Sequence, residues 1–437
     1  MARAYKAKWI IPSDGSIWEN SVLIVDEGKI QEIIKEENFN PELYSHVKDF
    51  KNAVITPGFV NLHNHLQYNY LQKNKSKTLK GKFKRLYTNL QKHYFLTGIS
   101  KKSFIYRLSN LLSDYFCMTR EEKVDSFKKG LETSLLNGTT CVAQLSKESK
   151  YFDVLNETPM KTFLFFELFS DSVDSSKDEF RNIQKKIEKL KNQKSDNTFI
   201  GIAPHSACCV HKRLFRILEK YCKKHNILMT IRLGESKDEL DWLNHGFSDI
   251  DLLNEFTGHK KFEPAVTGLS PAKYLEEMGI LSKQLLISYG NYLSDSDLEI
   301  LNKNKVSLAY CPRISDNLHN QKLSLDKVLE FFPNRFGFGV NSLAFNSDLS
   351  LLNELKYVNN GVLNVIDAIK YLTIIPAKIL RLNNIIGSLE TDKDADFNVF
   401  ELDEAQDYNE ILNKEKPNHV YIKGKRVVKR GELNIKN

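Results

Sequence analysis

The chain has 437 residues, of which 41% are apolar and 27% charged, and its formal net charge is +8. This length suits an α/β barrel with a small second domain and provides enough apolar residues for a large core. No apolar run reaches about 18 residues, so the sequence predicts no transmembrane helix. An apolar stretch that is short and interrupted early by Pro12 argues against a signal peptide. We therefore predict a cytoplasmic protein with no membrane partner.

The cysteines and lysines give no sign of a disulfide framework or a nucleic-acid module. The six cysteines are scattered and contain no C-x-x-C pair, which predicts free thiols in a reducing compartment. A lysine-rich stretch at residues 73–85 (KNKSKTLKGKFKR) would attract anions, but no motif of a nucleic-acid-binding fold accompanies it. We interpret this stretch as a solvated loop and predict no nucleic-acid partner.

Both ends of the chain have the pattern of short antiparallel strands, in which apolar and polar residues alternate between turns that contain glycine. The predicted strands are 7–12, 21–26, 29–35, 396–401, 420–423 and 426–429. The turns between them include Glu27-Gly28 and Gly424-Lys425. We predict that residues 1–55 and 385–437 together form one small composite β-sandwich domain.

The middle of the chain alternates short apolar runs with amphipathic helical stretches. The candidate strands are 58–62, 140–144, 162–166, 199–203, 228–233, 285–289, 306–310 and 336–340. Eight strands that alternate with helices are typical of a (β/α)8 barrel. We therefore predict a TIM-type barrel over residues 56–384, and we expect it to carry the active-site pocket.

Polar residues recur where these strands end, and barrels of this type place their chemistry at the carboxyl ends of the strands. The residues concerned are His63, His65, Glu167, His205, Arg232, Glu235, Tyr289, Arg313 and Asn341. His63 and His65 alternate along an extended segment, so both imidazoles point to the same side, as two ligands of one metal ion would. A pair of surface histidines is the alternative interpretation of His-x-His alone.

Several motifs along the chain point to one family. They are PGFVNLHNHL (57–66), GTT (138–140), APHS (203–206), GVNSLAFN (339–346) and GSLETDKDADFNVF (387–400). With these motifs the chain resembles the amidohydrolase superfamily, in particular its nucleoside and chlorohydrolase-type deaminases, and within them aminofutalosine deaminase. The resemblance covers nearly the whole chain. It implies a barrel enzyme that uses zinc or iron and water to remove an amino group from a purine-like ring.

The resemblance assigns roles to four residues that match the family pattern. His63 and His65 correspond to two metal ligands, and Glu235 corresponds to the residue that carries a proton to the ring. His205 resembles a histidine that contacts the substrate. The fourth strand has no lysine for a carbamate bridge, so a site with two metal ions is not expected.

Three positions depart from that pattern, because the resemblance implies His, His and Asp where this chain has Arg232, Tyr289 and Asn341. Arginine has no lone pair for a metal and stays charged, and asparagine carries no charge. Tyrosine has a reference pKa near 10, which is far from that of a general base at neutral pH. We therefore predict a degenerate metal site, with zinc or iron absent or weakly bound.

The sequence leaves three functions open. The first is an active deaminase that hydrolyses a non-peptide C–N bond with an altered metal site and Glu235 as the acid or base. The second is a metal-free protein that binds a purine-nucleoside-like or anionic metabolite, with His205, Arg232 and Arg313 as contacts. The third is a non-catalytic subunit that assembles with an active relative. Barrels of this family also associate with copies of themselves, so a homo-oligomer is expected.

Overall fold

The computed structural model describes residues 2–69, 88, 99–100, 103–192, 195–259, 266–318, 321–404 and 406–434. The lysine-rich stretch at 73–85 lies outside the described residues. The strands are β1 Arg3–Ile10, β2 Trp18–Asp26, β3 Lys29–Lys35, β4 His46–Asp49, β5 Ala53–Pro57, β6 Phe59–Asn64, β7 Thr139–Ser146, β8 Lys161–Leu168, β9 Thr198–Pro204, β10 Leu228–Leu233, β11 Leu285–Tyr289, β12 Ser307–Tyr310, β13 Phe336–Phe338, β14 Phe397–Glu401, β15 His419–Ile422, β16 Lys425–Lys429 and β17 Glu432–Leu433.

Helices alternate with the barrel strands along the chain. The α-helices are Phe104–Cys117, Arg120–Leu136, Phe152–Glu157, Val173–Asn192, Lys212–His225, Lys237–His245, Asp249–Phe256, Pro271–Glu277, Asp295–Lys303, Pro312–Asn317, Leu325–Phe331, Leu351–Val358, Val365–Leu372 and Ile374–Ile379. Local sequence sets several of their ends. Thr119 and Glu122 form a capping box at the start of one helix, and Asn226 ends another in the left-handed conformation. In the described part of the chain, no helix is long and apolar enough to cross a membrane.

Strands β6 to β13 form one parallel sheet in chain order, and main-chain contacts join its first and last members. The amide of His65 donates to the carbonyl of Asn341 at 2.7 Å, and the amide of Asn341 donates to the carbonyl of His63 at 3.0 Å. A parallel bridge between Asn64 and Asn341 lies at the same place. This seam closes the barrel, and it confirms the predicted (β/α)8 architecture.

The two chain ends meet in a separate mixed sheet with the order β17-β16-β15-β14-β5-β1-β2-β3, with β4 paired to β1. Glu27 and Gly28 join β2 to β3 with φ of 48° and 80°, as a type I′ hairpin turn requires. The C-terminal turn lies at Lys423-Gly424, where both φ angles are positive, one residue before the predicted turn. The sequence predicts a composite β-sandwich domain from both termini, and the structure unites both termini in this one mixed sheet. The division at residues 55 and 385 stays a prediction.

A buried ion cluster connects this sheet region to the barrel. The ammonium of Lys161, at the start of β8, lies 2.7 Å from a carboxylate oxygen of Asp394 and 2.8 Å from one of Asp396. All three side chains are less than 5% exposed. Since a buried charge needs a partner, the two carboxylates and the lysine hold the C-terminal segment against the barrel.

Candidate functional site

A cavity of about 290 Å³ opens where the barrel strands end. The predicted site residues that line it are His65, His205, Arg232, Glu235, Tyr289 and Asn341. Its apolar wall includes Leu108, Leu112, Phe116, Ile250, Leu253 and Phe345. His63 is fully buried and contacts Tyr289. The structure thus brings all but one of the predicted site residues together.

Arg232, at the end of β10, is the centre of the hydrogen bonding in this cavity. One guanidinium nitrogen, NH2, lies 2.7 Å from Nε2 of His65 and 3.2 Å from Oε1 of Glu167. The other, NH1, lies 2.5 Å from Nε2 of His205. His205 in turn lies with Nδ1 3.0 Å from the same oxygen of Glu167. The distance at His65 fits a neutral imidazole that accepts from Arg232 at Nε2. At His205 the same NH1 atom also lies 2.8 Å from Nδ1, so it faces both ring nitrogens.

A second hydrogen-bonded group lies behind the first and is built on Tyr289. Its hydroxyl accepts from Nδ2 of Asn341 at 2.7 Å and lies 3.1 Å from Nε2 of His63. Nδ1 of His63 lies 3.0 Å from the hydroxyl of Ser288. One consistent direction of donation runs from Asn341 to Tyr289, from Tyr289 to His63 and from His63 to Ser288. The Nε2 lone pair of His63 is thus used by Tyr289, as that of His65 is used by Arg232.

Two of the three positions that depart from the family pattern, Tyr289 and Asn341, also have an unusual backbone conformation. Tyr289 has φ of 76° and Asn341 has φ of 58°. Asparagine tolerates the left-handed region, but a tyrosine there is an outlier. Such strain is concentrated at functional sites, where the surrounding structure imposes it.

Burial determines the charge state of the imidazoles. It lowers the pKa of His65 to about 3 and that of His205 to about 4, and the positive charge of Arg232 adds to the effect. The pKa of His63 is lowered as well, by burial and then by His65 and Arg232. The three rings are therefore neutral at neutral pH.

Two carboxylates near Arg232 respond in opposite ways. For Glu167, burial alone would raise the pKa, but Arg232 and the hydrogen bond from His205 hold it well below its usual range. For Glu235, burial is the larger effect and raises the pKa, although Arg232 works against it. The site thus combines a firmly ionised carboxylate, paired with Arg232, with a second carboxylate that takes up a proton more readily.

Arg313 is the predicted contact that the structure does not bring to the cavity. Its guanidinium donates to both carboxylate oxygens of Asp348, at 2.8 and 3.0 Å, and its backbone amide donates to Glu354 at 3.1 Å. The carboxylate of Asp348 offers a bidentate partner, which directs the side chain away from the cavity. Arg313 connects the end of β12 to the segment after β13.

Sequence reasoning missed the role of Glu167 and the origin of the apolar wall. Glu167 was recognisable as a polar residue near the end of β8, but its partner Arg232 comes from another strand. The wall comes largely from the helix Phe104–Cys117, whose apolar spacing is a signal for an amphipathic helix. Spacing alone does not say which structure such a helix covers.

The two predicted metal ligands, His63 and His65, lie next to each other in this site. Among the residues that the structure describes, no group of three or more His, Cys, Asp and Glu side chains could hold a metal ion. His63 and His65 are adjacent, with ring centroids 5.2 Å apart. Arg232 and Tyr289 provide donors to their Nε2 atoms rather than further ligands.

Comparison with known proteins identifies the family. Residues 54–427 match the model of the amidohydrolase family. The chain belongs to this family. It is 23% identical over 335 residues to the 5-methylthioadenosine/S-adenosylhomocysteine deaminase of Thermococcus kodakarensis, covering 76% of this chain and 68% of the relative. The enzyme of the same name from Saccharophagus degradans is also 23% identical, over 98% of this chain and 91% of its own length.

Solved structures of this family have the same fold. The aminofutalosine deaminase of Helicobacter pylori, in complex with methylthio-coformycin, aligns with a TM-score of 0.77 and 20% identity over 98% of this chain and all of that one. A zinc-bound adenosine deaminase from Xanthomonas campestris aligns with a TM-score of 0.73 and 16% identity over 100% of this chain and 94% of that one. These likenesses support the predicted fold, and the adenosine deaminase structure contains zinc.

Proposed function

We propose that this amidohydrolase-family chain binds a purine-nucleoside-like small molecule in a pocket where Arg232 has taken the place of the catalytic metal ion. The observation that carries this proposal is the contact of 2.7 Å between the guanidinium of Arg232 and Nε2 of His65. That nitrogen is one of the two that the family would use as metal ligands. On this proposal the chain keeps the pocket of a deaminase without its metal-dependent hydrolysis.

The residues present do not fit a zinc or iron ion. A guanidinium about 4 Å from a divalent cation would be repelled by roughly 8 kcal/mol at an effective dielectric constant of 20. A full ligand set at a structural zinc site supplies about 10–16 kcal/mol, and here only two neutral histidines remain of that set. Asn341 and Tyr289 add no negative charge, and the amide oxygen of Asn341, which is buried without a hydrogen-bond partner, is a neutral atom where the family pattern has a carboxylate. The net free energy of binding a metal ion at this position is therefore too small to hold the ion.

The charge balance of the cavity favours a neutral ligand over an anionic one. Arg232 is already paired with Glu167 at 3.2 Å, so its charge is largely neutralised before any ligand arrives. Arg313, the other predicted anion contact, is paired with Asp348. Apolar walls together with a few polar groups at one end suit a flat aromatic ring that carries hydrogen-bonding atoms.

Glu235 favours a second candidate, in which the chain still hydrolyses a C–N bond. Its carboxyl lines the cavity and its pKa is raised by burial, as a group that exchanges protons near neutral pH needs. This candidate requires a water molecule activated without the usual ligand set. The two candidates therefore differ in metal content and in product formation.

Three measurements on one preparation separate these candidates. The first is elemental analysis of protein dialysed against metal-free buffer. The second is thermal unfolding and the third is an ammonia-release assay, both with adenosine, 5-methylthioadenosine and S-adenosylhomocysteine. Binding without a metal ion predicts substoichiometric zinc and iron, a raised melting temperature with at least one nucleoside, and no ammonia. Stoichiometric metal with ammonia release would establish the hydrolase instead, and assembly only with an active relative would favour the non-catalytic subunit.

A further inference from the structure

Three buried polar atoms of residues that line this cavity have no hydrogen-bond partner among the described residues. They are Nε of Arg232, Oε1 of Glu239 and Oδ1 of Asn341. Glu239 and Asn341 are only 2% and 3% exposed. Folded proteins pair nearly all of their buried polar atoms. Unpaired atoms in the wall of a cavity therefore indicate which groups a bound molecule has to provide.

The side-chain amide of Asn341 is held in one orientation. Its Nδ2 donates to the hydroxyl of Tyr289 at 2.7 Å, so Oδ1 lies on the other branch of the amide. Two main-chain hydrogen bonds fix the residue itself, one from its amide to the carbonyl of His63 at 3.0 Å and one to its carbonyl from the amide of His65 at 2.7 Å. Rotation of the side chain would break the contact with Tyr289. Oδ1 is therefore a fixed acceptor, since an amide oxygen cannot donate.

The carboxyl of Glu239 provides the complementary kind of group. Its Oε2 accepts from the backbone amide of Glu235 at 2.9 Å. Burial raises the pKa of this carboxyl to about 8, so most of it is protonated at neutral pH. Because Oε2 accepts a hydrogen bond, the proton belongs on Oε1, which then donates, as Nε of Arg232 does. The unpaired atoms of the cavity wall thus comprise one acceptor and two donors.

This mixed set fits an amino-substituted aromatic ring better than it fits an anion. An aminopurine carries N–H donors on its amino group and lone pairs on its ring nitrogens, so it serves both kinds of atom. An ionised carboxylate only accepts, and it would leave Oδ1 of Asn341 buried without a donor. A purine that lacks the amino group leaves the same atom unpaired.

We propose that Asn341 is the specificity-determining residue of this cavity, with Oδ1 accepting a hydrogen bond from a ring amino group of the ligand. The inference rests on the proposed function, because it takes a purine-nucleoside-like ligand as its starting point. Where the family pattern has an aspartate for the metal ion, this chain has an amide that contacts the ligand directly. Loss of the amino group weakens binding by about tenfold, because the buried acceptor then stays unpaired.

The test compares adenosine with two analogues, purine riboside, which lacks only the amino group, and inosine, which has an oxygen in its place. Dissociation constants are measured by isothermal titration calorimetry at pH 7 with EDTA present, so that metal-dependent turnover does not contribute. We expect native protein to bind adenosine about tenfold more tightly than purine riboside, and more tightly than inosine. This comparison uses native protein alone, so it decides the matter even if a substitution at position 341 prevents folding.

Three variants test whether the preference belongs to this side chain. Asn341→Gly removes the amide and suits the φ of 58° at this position, and its preference for adenosine over purine riboside should disappear. Asn341→Asp keeps an acceptor and should keep the preference. The matched control Asn334→Gly replaces an exposed asparagine with a φ of 55° outside the cavity. It should bind all three nucleosides as native protein does.

Two results would overturn this inference and leave nucleoside binding in place. One is equal affinity of native protein for adenosine and purine riboside, or tighter binding of inosine than of adenosine. The other is a preference for adenosine that survives in folded Asn341→Gly protein. If none of the three nucleosides binds to native protein, the proposed function is wrong and the role of Asn341 is overturned with it.

Discussion

Arg232 and His65 are joined by a hydrogen bond of 2.7 Å between a guanidinium nitrogen and Nε2 of the imidazole. The same guanidinium group forms an ion pair with Glu167, so one side chain connects three strands at the end of the barrel. It provides a permanent positive charge where the family pattern has a metal ligand. This exchange bears on the stability, the pH response and the metal affinity of the site.

Removal of Arg232 alone should destabilise the fold more than removal of both charges, that of Arg232 and that of Glu167. Arg232→Ala leaves the ionised Glu167 buried and unpaired, which is expected to cost about 3–5 kcal/mol in the free energy of unfolding. The double variant Arg232→Met with Glu167→Gln removes both charges and should recover at least half of that loss. Urea denaturation at pH 7 measures both. Equal losses in the single and double variants would contradict an energetically important pair.

Stability should fall as the pH drops below about 6.5, the reference pKa of histidine. His205 has a folded pKa of about 4, so the unfolded chain binds its proton first and the folded state loses stability from pH 6.5 down to about 4. For this one group the loss is about 3 kcal/mol. The lowered pKa of Glu167 contributes in the same direction, but only below about pH 4.3, the reference pKa of glutamate.

The variant His205→Asn separates these two windows. Its free energy of unfolding, measured by urea titration at intervals from pH 7 to pH 4, should fall less steeply than that of the native chain above pH 4.5. Below that pH both proteins should fall together, because Glu167 and His65, whose folded pKa is about 3, are present in each. Curves that stay parallel above pH 4.5 would mean that His205 is not held neutral in the folded protein.

Restoration of the family pattern should restore metal binding. The triple variant Arg232→His, Tyr289→His and Asn341→Asp removes the competing cation and adds ligands beside His63 and His65. We expect about one zinc per chain after dialysis, against far less in the native protein, by elemental analysis. Adding His63→Ala to the triple variant should lower the zinc content again. A triple variant that folds but stays metal-free would show that other features block the site.

Lys161 should be essential for the attachment of the C-terminal segment. Lys161→Met leaves the buried carboxylate of Asp396 without a cation and Asp394 with Lys29 as its remaining close partner, and it is expected to cost about 3–5 kcal/mol in the free energy of unfolding. Lys177→Met, at an exposed lysine that pairs with Asp174 on a helix surface, is the matched control and should cost less than about 1 kcal/mol. Thermal unfolding of both variants checks the difference. A loss as small as that of the control would mean that the cluster does not stabilise the junction.

Local patterns in the sequence were sufficient to predict the fold. The predicted site residues other than Arg313 lie together in the structure, and their roles stay a prediction. Strands β10 and β11 have the predicted bounds, because apolar runs that end at polar residues are recognisable without tertiary information. The direction of the Arg232 side chain was not predictable, since it depends on Glu167 and His205 from other strands. Arg313 illustrates the same limit. Its position at a strand end was recognised, but its partner Asp348 follows a different strand and turns the side chain elsewhere.

The seam between β6 and the segment after β13 has a consequence for how such a site changes over time. Its hydrogen bonds run between main-chain atoms of His63, His65 and Asn341, so they do not require imidazole or carboxylate side chains. Chemistry at these strand ends is therefore separable from closure of the barrel. The side chains at these positions can therefore be exchanged while the main-chain hydrogen bonds that close the barrel are kept. A change of function in this fold does not indicate a loss of stability.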